Sequence, residues 1–177
     1  MVAAFYGRTE MISLSLLKEL LHYDPETGIF TRIKIGTPGN QRYLGKPAGN
    51  LGGKNYWYIC VDGRTYKAHR LAWLYMTGEW PLEQIDHING NRSDNRFSNL
   101  RQATNAQNQQ NRGLQKSNTT GHKGIHWLPR KRPWRATITC NKRRVYLGCF
   151  YTKEEAVSAY IAAMKTHHGE FAKAYDL

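Results

Sequence analysis

The run QIDHINGNRSDNRFSNLRQATNAQNQQNR, from Gln84 to Arg112, constrains this chain more than any other stretch, because its sparse apolar positions fit only short elements. Ile85 precedes Asp86 and His87 on a short strand, Asn89-Gly90-Asn91 opens a polar loop, and Leu100 lies on a return strand. Thr104 then caps a helix running to about Arg112. The predicted order is strand, loop, strand, helix.

Charge narrows the partner. The chain has 177 residues, enough for one compact domain or two small ones. It carries 26 Lys plus Arg against 13 Asp plus Glu, a net +13 that favours a polyanion and first of all nucleic acid. Between Asp94 and Glu154 there is no acidic residue, and 13 cations fall there, equal to the whole net charge. A charge run alone is ordinarily a solvated face, but here Trp127, Trp134 and Tyr146 interleave with it. A mean hydropathy of -0.68 excludes an integral membrane protein, while 40% hydrophobic residues exclude wholesale disorder. The start MVAAFYGRTEMISL has no basic region followed by a long apolar one, so neither signal peptide nor anchor is expected. Cys60, Cys140 and Cys149 form no C-x-x-C pair, which argues against a disulfide framework or structural zinc; they read as buried or half-buried thiols in a reducing compartment.

Hydrolysing a phosphodiester requires a base to activate water and a cation to stabilise charge on the phosphate and the departing 3′ oxygen. His87 is the strong base candidate in the run, since an unperturbed imidazole is largely neutral at physiological pH. Asp86 offers a hard oxygen, and the amide oxygen of Asn108 offers another, a set suited to Mg²⁺ or Mn²⁺ rather than zinc. Asn111, three residues further along the same helix face, is the weaker alternative. Neighbours on an ideal strand point to opposite faces, so Asp86 and His87 are placed at a strand end.

Asp86-His87 followed by Asn99 and Asn108, with the DHINGN opening and the SNLR sequence, resembles an HNH endonuclease of the phage homing type. The resemblance implies a ββα-metal fold, His87 as general base, Asp86 and Asn108 as ligands of one catalytic divalent metal, and Asn99 as brace of the loop holding the histidine. The zinc-knuckle cysteines of some members are absent. His69 and Arg70, in AHRLAW, fit the same pattern and are read as scaffold or phosphate contacts.

Beyond Lys123 the pattern is three strands and a helix. Trp134, Ala136 and Ile138 alternate with Arg135, Thr137 and Thr139, and Val145, Leu147 and Cys149 alternate with Arg144 and Tyr146. Thr152-x-x-Glu155 is a capping box ahead of Ala156, Ala159, Tyr160 and Ala163, with Gly169 as a stop. The helix is expected on the apolar face, leaving the polar face for DNA. GIHW, WRATI, YLGCF and HHGEFA resemble the Apetala-type (ethylene-response-factor) DNA-binding domain over residues 117–174. By that resemblance Lys123, His126, Thr137, Thr139, Arg144 and Tyr146 face DNA; Arg135 and Arg143 join them as cations of the same strands.

Upstream, residues 1–10 read as ragged, Met11 begins a cleaner segment, and Leu14, Leu17, Leu20 and Leu21 recur at helical spacing after Ser13. YDPETGIFTRI reads as a hairpin, residues 36–54 as loop, and YWYICVDGRTYKAH as a hairpin turning at Asp62-Gly63. A helix from Ala68 to Thr77 follows, closed by Gly78. The expected fold is α+β: an N-terminal helix and hairpin over 1–40, a nuclease core over 41–114, and a three-stranded antiparallel sheet packed on one helix over 115–177. The expected function is metal-dependent cleavage of double-stranded DNA, with no membrane partner, in the bacterial host cytoplasm if phage-encoded. A monomer that nicks and a dimer that cuts both strands are equally open. The rivals are a non-catalytic DNA-binding regulator and an RNA-binding or ribosome-associated basic protein.

Overall fold

A computed structural model describes residues 11–34, 41–111, 114, 117–140 and 143–168. Residues 1–10 and Gly169, read above as ragged and as a helix stop, lie outside the described residues. The chain divides into two compact units. The first holds the described residues up to His87 with Asn91–Leu100; the second holds Ile88–Gly90 with those from Arg101 onward. No described helix is long and apolar enough to cross a membrane.

The first unit begins with α1 (Leu14–Leu20), whose N-cap Ser13 accepts a hydrogen bond from the Leu16 N–H at 3.2 Å. Leu21 belongs not to this helix but to β1 (Leu21–Asp24), where it stays fully buried; helical spacing alone could not see that the chain turns extended at this residue. β1 pairs antiparallel with β2 (Ile29–Arg32), Leu21 opposite Arg32. The Asp24 carboxylate closes the turn by accepting from the Glu26 N–H and the Thr27 hydroxyl.

Within the stretch read as loop, β3 (Asn50–Leu51) adds a short edge to the hairpin of β4 (Trp57–Val61) and β5 (Arg64–Lys67), in the order β3-β4-β5. The β4–β5 turn falls at Asp62-Gly63, as the sequence predicts. Cys60, expected to be buried or half-buried, is exposed, because on β4 its neighbours Ile59 and Val61 occupy the core side. α2 (Ala68–Thr77) follows, ending at Gly78, and then β6 (Gln84–His87). Leu17, Leu21, Tyr23 and Phe30 share one core with Ile59, Val61, Leu71, Leu74, Ile85 and Leu100. The N-terminal helix and hairpin are therefore built into the same core as β4, α2 and β6 rather than forming a separate segment.

β7 (Leu100–Ala103) leads into α3 (Asn105–Asn111). Thr104 caps α3 reciprocally with Gln107: its hydroxyl accepts from the Gln107 N–H, and the Gln107 amide oxygen accepts from the Thr104 N–H. The second unit continues with β8 (Ile125–Trp127), β9 (Trp134–Cys140) and β10 (Arg143–Phe150), an antiparallel sheet of order β10-β9-β8, and α4 (Lys153–His168). Thr152 and Glu155 form the predicted capping box. Ile125, Ala136 and Ile138 are buried with Ala156, Tyr160 and Met164 of α4.

Two residues depart from the predicted burial. Thr137, expected on the DNA-facing side, is buried, and its backbone N–H donates to Gly124 O at 2.8 Å. Gly124 has φ +67°, and a Cβ there would stand 2.1 Å from Thr137 O, so the turn before β8 lies directly against Thr137. Val145, expected on the covered face, is 38% exposed. Val145 pairs with the buried Ile138 and so keeps the covered side, its exposure arising on the edge strand β10; the bulge between Tyr146 and Gly148 breaks the two-residue period only beyond it.

Candidate active site

His87 is the last residue of β6, and both it and Asp86 are buried. That is the strand end at which the sequence reading places the pair. Asn95, which the sequence reading passed over, meets the histidine: its Oδ1 lies 3.4 Å from His87 Nε2. The amide is oriented by its other end, since Asn95 Nδ2 donates to Ser93 O at 3.2 Å. An amide oxygen only accepts, so His87 Nε2 carries the proton of the neutral ring and Nδ1 is the basic nitrogen.

The loop carrying Asn95 is pinned at several points. Asn99, also buried, donates Nδ2 to Asp94 O at 2.9 Å, and Asp94 is paired with Arg96. From β1, the Tyr23 hydroxyl donates to Asn95 O at 2.6 Å, and the Phe97 N–H donates to Pro25 O. Gly28 sits so close beneath that a Cβ would lie 2.4 Å from the Arg96 nitrogen, and its φ of +74° already favours glycine. The N-terminal hairpin thus buttresses the loop that orients the histidine, a role no sequence motif announced.

Burial pushes the His87 pKa below the usual imidazole value. The Asn95 contact and the charges of Asp86 and Asp94 pull it back up, and Arg92 opposes them. A neutral ring at physiological pH is the result. His69, in the first turn of α2, stands edge-on to His87 with ring centroids 5.0 Å apart. It is 4% exposed, and its Nδ1 is buried with no hydrogen-bond partner among the described residues. Burial, then the charges of His87, Lys67 and Arg70, lower its pKa to about 3. Arg70, the other residue of the AHRLAW pattern, lies over the Trp80 ring.

Tyr56, in the loop before β4, completes this corner, its ring 5.3 Å from His69 and 6.1 Å from His87. In the second unit, Asn108 is half-buried on α3, and Asn111 is buried with Nδ2 donating to Ile88 O. Among the described residues no group of three or more His, Cys, Asp or Glu is placed to hold a metal. Hard oxygens of one carboxylate and amides suit a single divalent ion that keeps much of its water.

On the sheet of the second unit, His126, Thr139, Arg143, Arg144 and Tyr146 are exposed, and Arg135 and Lys123 are half-buried. Cross-strand register sets His126 opposite Arg135 and Thr139 opposite Arg144. Trp127, left out of the predicted contact set, is 57% exposed on the same sheet.

The family model for HNH endonuclease matches residues 66–110, a span running from β5 into α3. The chain is 33% identical to Protein 3.8 of Escherichia phage T7 over 114 residues, 61% of this chain and 92% of that protein. No solved structure matches the chain. The chain belongs to the family of phage T7 Protein 3.8 and carries an HNH endonuclease domain over residues 66–110.

Proposed function

We propose that the chain is a site-specific, homing-type DNA endonuclease in which the neutral His87 ring takes a proton from the attacking water. The observation that carries this reading is the Asn95 oxygen on His87 Nε2, which leaves Nδ1 as the nitrogen able to accept. Asn99 holds the loop carrying Asn95, so it positions the base rather than touching substrate. Asp86 is the carboxylate ligand of one Mg²⁺ or Mn²⁺ ion, and Asn108 joins it on the strength of the motif spacing. When bound, that ion supplies Lewis-acid stabilisation of charge on the phosphate and the departing 3′ oxygen. The products are 5′-phosphate and 3′-hydroxyl ends.

The sheet of the second unit grips double-stranded DNA in the manner of the Apetala-type domain. Lys123, His126, Arg135, Thr139, Arg143, Arg144 and Tyr146 are its contacts, and Thr137 is withdrawn because it is buried. By analogy with the phage relative, the protein acts in the cytoplasm of a bacterial host. Incubating supercoiled phage and host DNA with the full chain in Mg²⁺ should give nicked circles or linear product. EDTA should abolish both, and DNA ligase should reseal the nicks. DNA that is bound but uncut in Mg²⁺ and in Mn²⁺ would overturn the nuclease and favour the regulator.

A further inference from the structure

We propose that Lys67 and Arg92, gathered on the ring of Tyr56, form a clamp for a backbone phosphate of the DNA neighbouring the one presented to His87. The inference rests on the nuclease reading of His87 and extends it to how substrate is seated. Lys67, at the end of β5, holds its ammonium 4.5 Å from the Tyr56 ring centroid, and the Arg92 guanidinium lies 5.2 Å from the same centroid. The ring that collects both cations also touches His69 and His87. Arg92 is tethered by a second contact, Nη1 donating to Lys54 O at 3.3 Å. Lys54 and Asn55 both have φ of +60°, so two consecutive non-glycine residues hold a left-handed backbone to present that carbonyl and deliver Tyr56.

Among the described residues no carboxylate is paired with these cations. Lys34–Glu19 and Arg96–Asp94 are ion pairs of the described residues, and neither involves Lys54, Lys67 or Arg92. Burial, then Arg70, Lys54 and Arg92, lower the Lys67 pKa, so like charges are crowded on a half-buried surface. Such crowding is relieved by an anion. The planar fork of Arg beside the point charge of Lys suits phosphate oxygens, and the cation–π contacts hold both side chains ready before DNA arrives.

The test measures affinity of the full chain for a fluorescent duplex in EDTA across a salt series, where no cleavage is needed. In Lys67→Gln/Arg92→Gln the slope of log affinity against log salt should fall by about 0.9, the value for one neutralised phosphate. Lys18→Gln, which removes a cation stacked on Tyr75, is the reference. A fall in the double variant no larger than in Lys18→Gln overturns the clamp. Tyr56→Phe and Tyr56→Leu give a second readout that leaves both cations in place. Phe should keep the wild-type KM for cleavage, and Leu should raise it several-fold. Equal KM in the two overturns the role of the ring. Loss of salt slope in a chain that never cuts would sink the nuclease reading and leave the clamp; His87-dependent cutting with unchanged slope would sink the clamp alone.

Discussion

Acid should destabilise the first unit in part through His69, and replacing that histidine should remove that part of the effect. In the unfolded chain His69 protonates near 6.5; in the fold it resists until about 3, because it is buried beside His87, Lys67 and Arg70. Its position in the first turn of α2, at the positive end of the helix dipole, acts in the same direction. The folded-state pKa is depressed, so between these values the unfolded state binds more protons. The stability is fully present above pH 6.5 and is lost as pH falls toward 3. At about 1.4 kcal/mol per pH unit, the loss from His69 between pH 7 and pH 4 is about 3 kcal/mol. His69→Phe fills the space and cannot protonate. Urea unfolding at pH 7, 6, 5 and 4, followed by tryptophan fluorescence, should show wild type losing about 3 kcal/mol relative to the variant. Carboxylates titrate alike in both chains and cancel. A difference between the two that stays constant from pH 7 to pH 4 would refute the placement of His69.

Three further outcomes follow from single contacts. Asn99→Ala removes the 2.9 Å bond to Asp94 O and should cost about 1–2 kcal/mol in thermal unfolding. It should also slow cleavage by roughly tenfold or more, by loosening the loop behind the base. Gly124→Ala places a methyl 2.1 Å from Thr137 O at positive φ, and should destabilise the second unit by about 3 kcal/mol in calorimetry. Thr152→Ala loses the cap of α4 and should cost about 1 kcal/mol in the same assay.

Much of the framework was legible because its signals are local. The Asp62-Gly63 turn, the Gly78 helix end and the Thr104 and Thr152 caps each depend on residues a few positions apart, and each appears where the sequence places it. The strand end bearing Asp86 and His87 was legible for the same reason. Asn95 was not, since it reaches His87 only through a loop held by Ser93, Asn99 and a tyrosine 72 residues upstream. Tyr56 gave no signal either, being brought to the histidines by a left-handed turn at two residues that are not glycine. Thr137 obeys the strand period in sequence yet is buried, because the Gly124 turn packs against it. Val145 shows the converse: it pairs with the buried Ile138 as strict alternation requires, yet on the edge strand β10 it stays partly exposed.

The central claim is that His87 supplies the base, and the most direct measurement is the single-turnover nicking rate of wild type and His87→Ala on supercoiled DNA in Mg²⁺. Removing a general base should slow the chemical step by about 10²–10⁴-fold. Because DNA is held elsewhere, affinity measured in EDTA should be unchanged. A His87→Ala protein that nicks within about twofold of wild type would contradict the account.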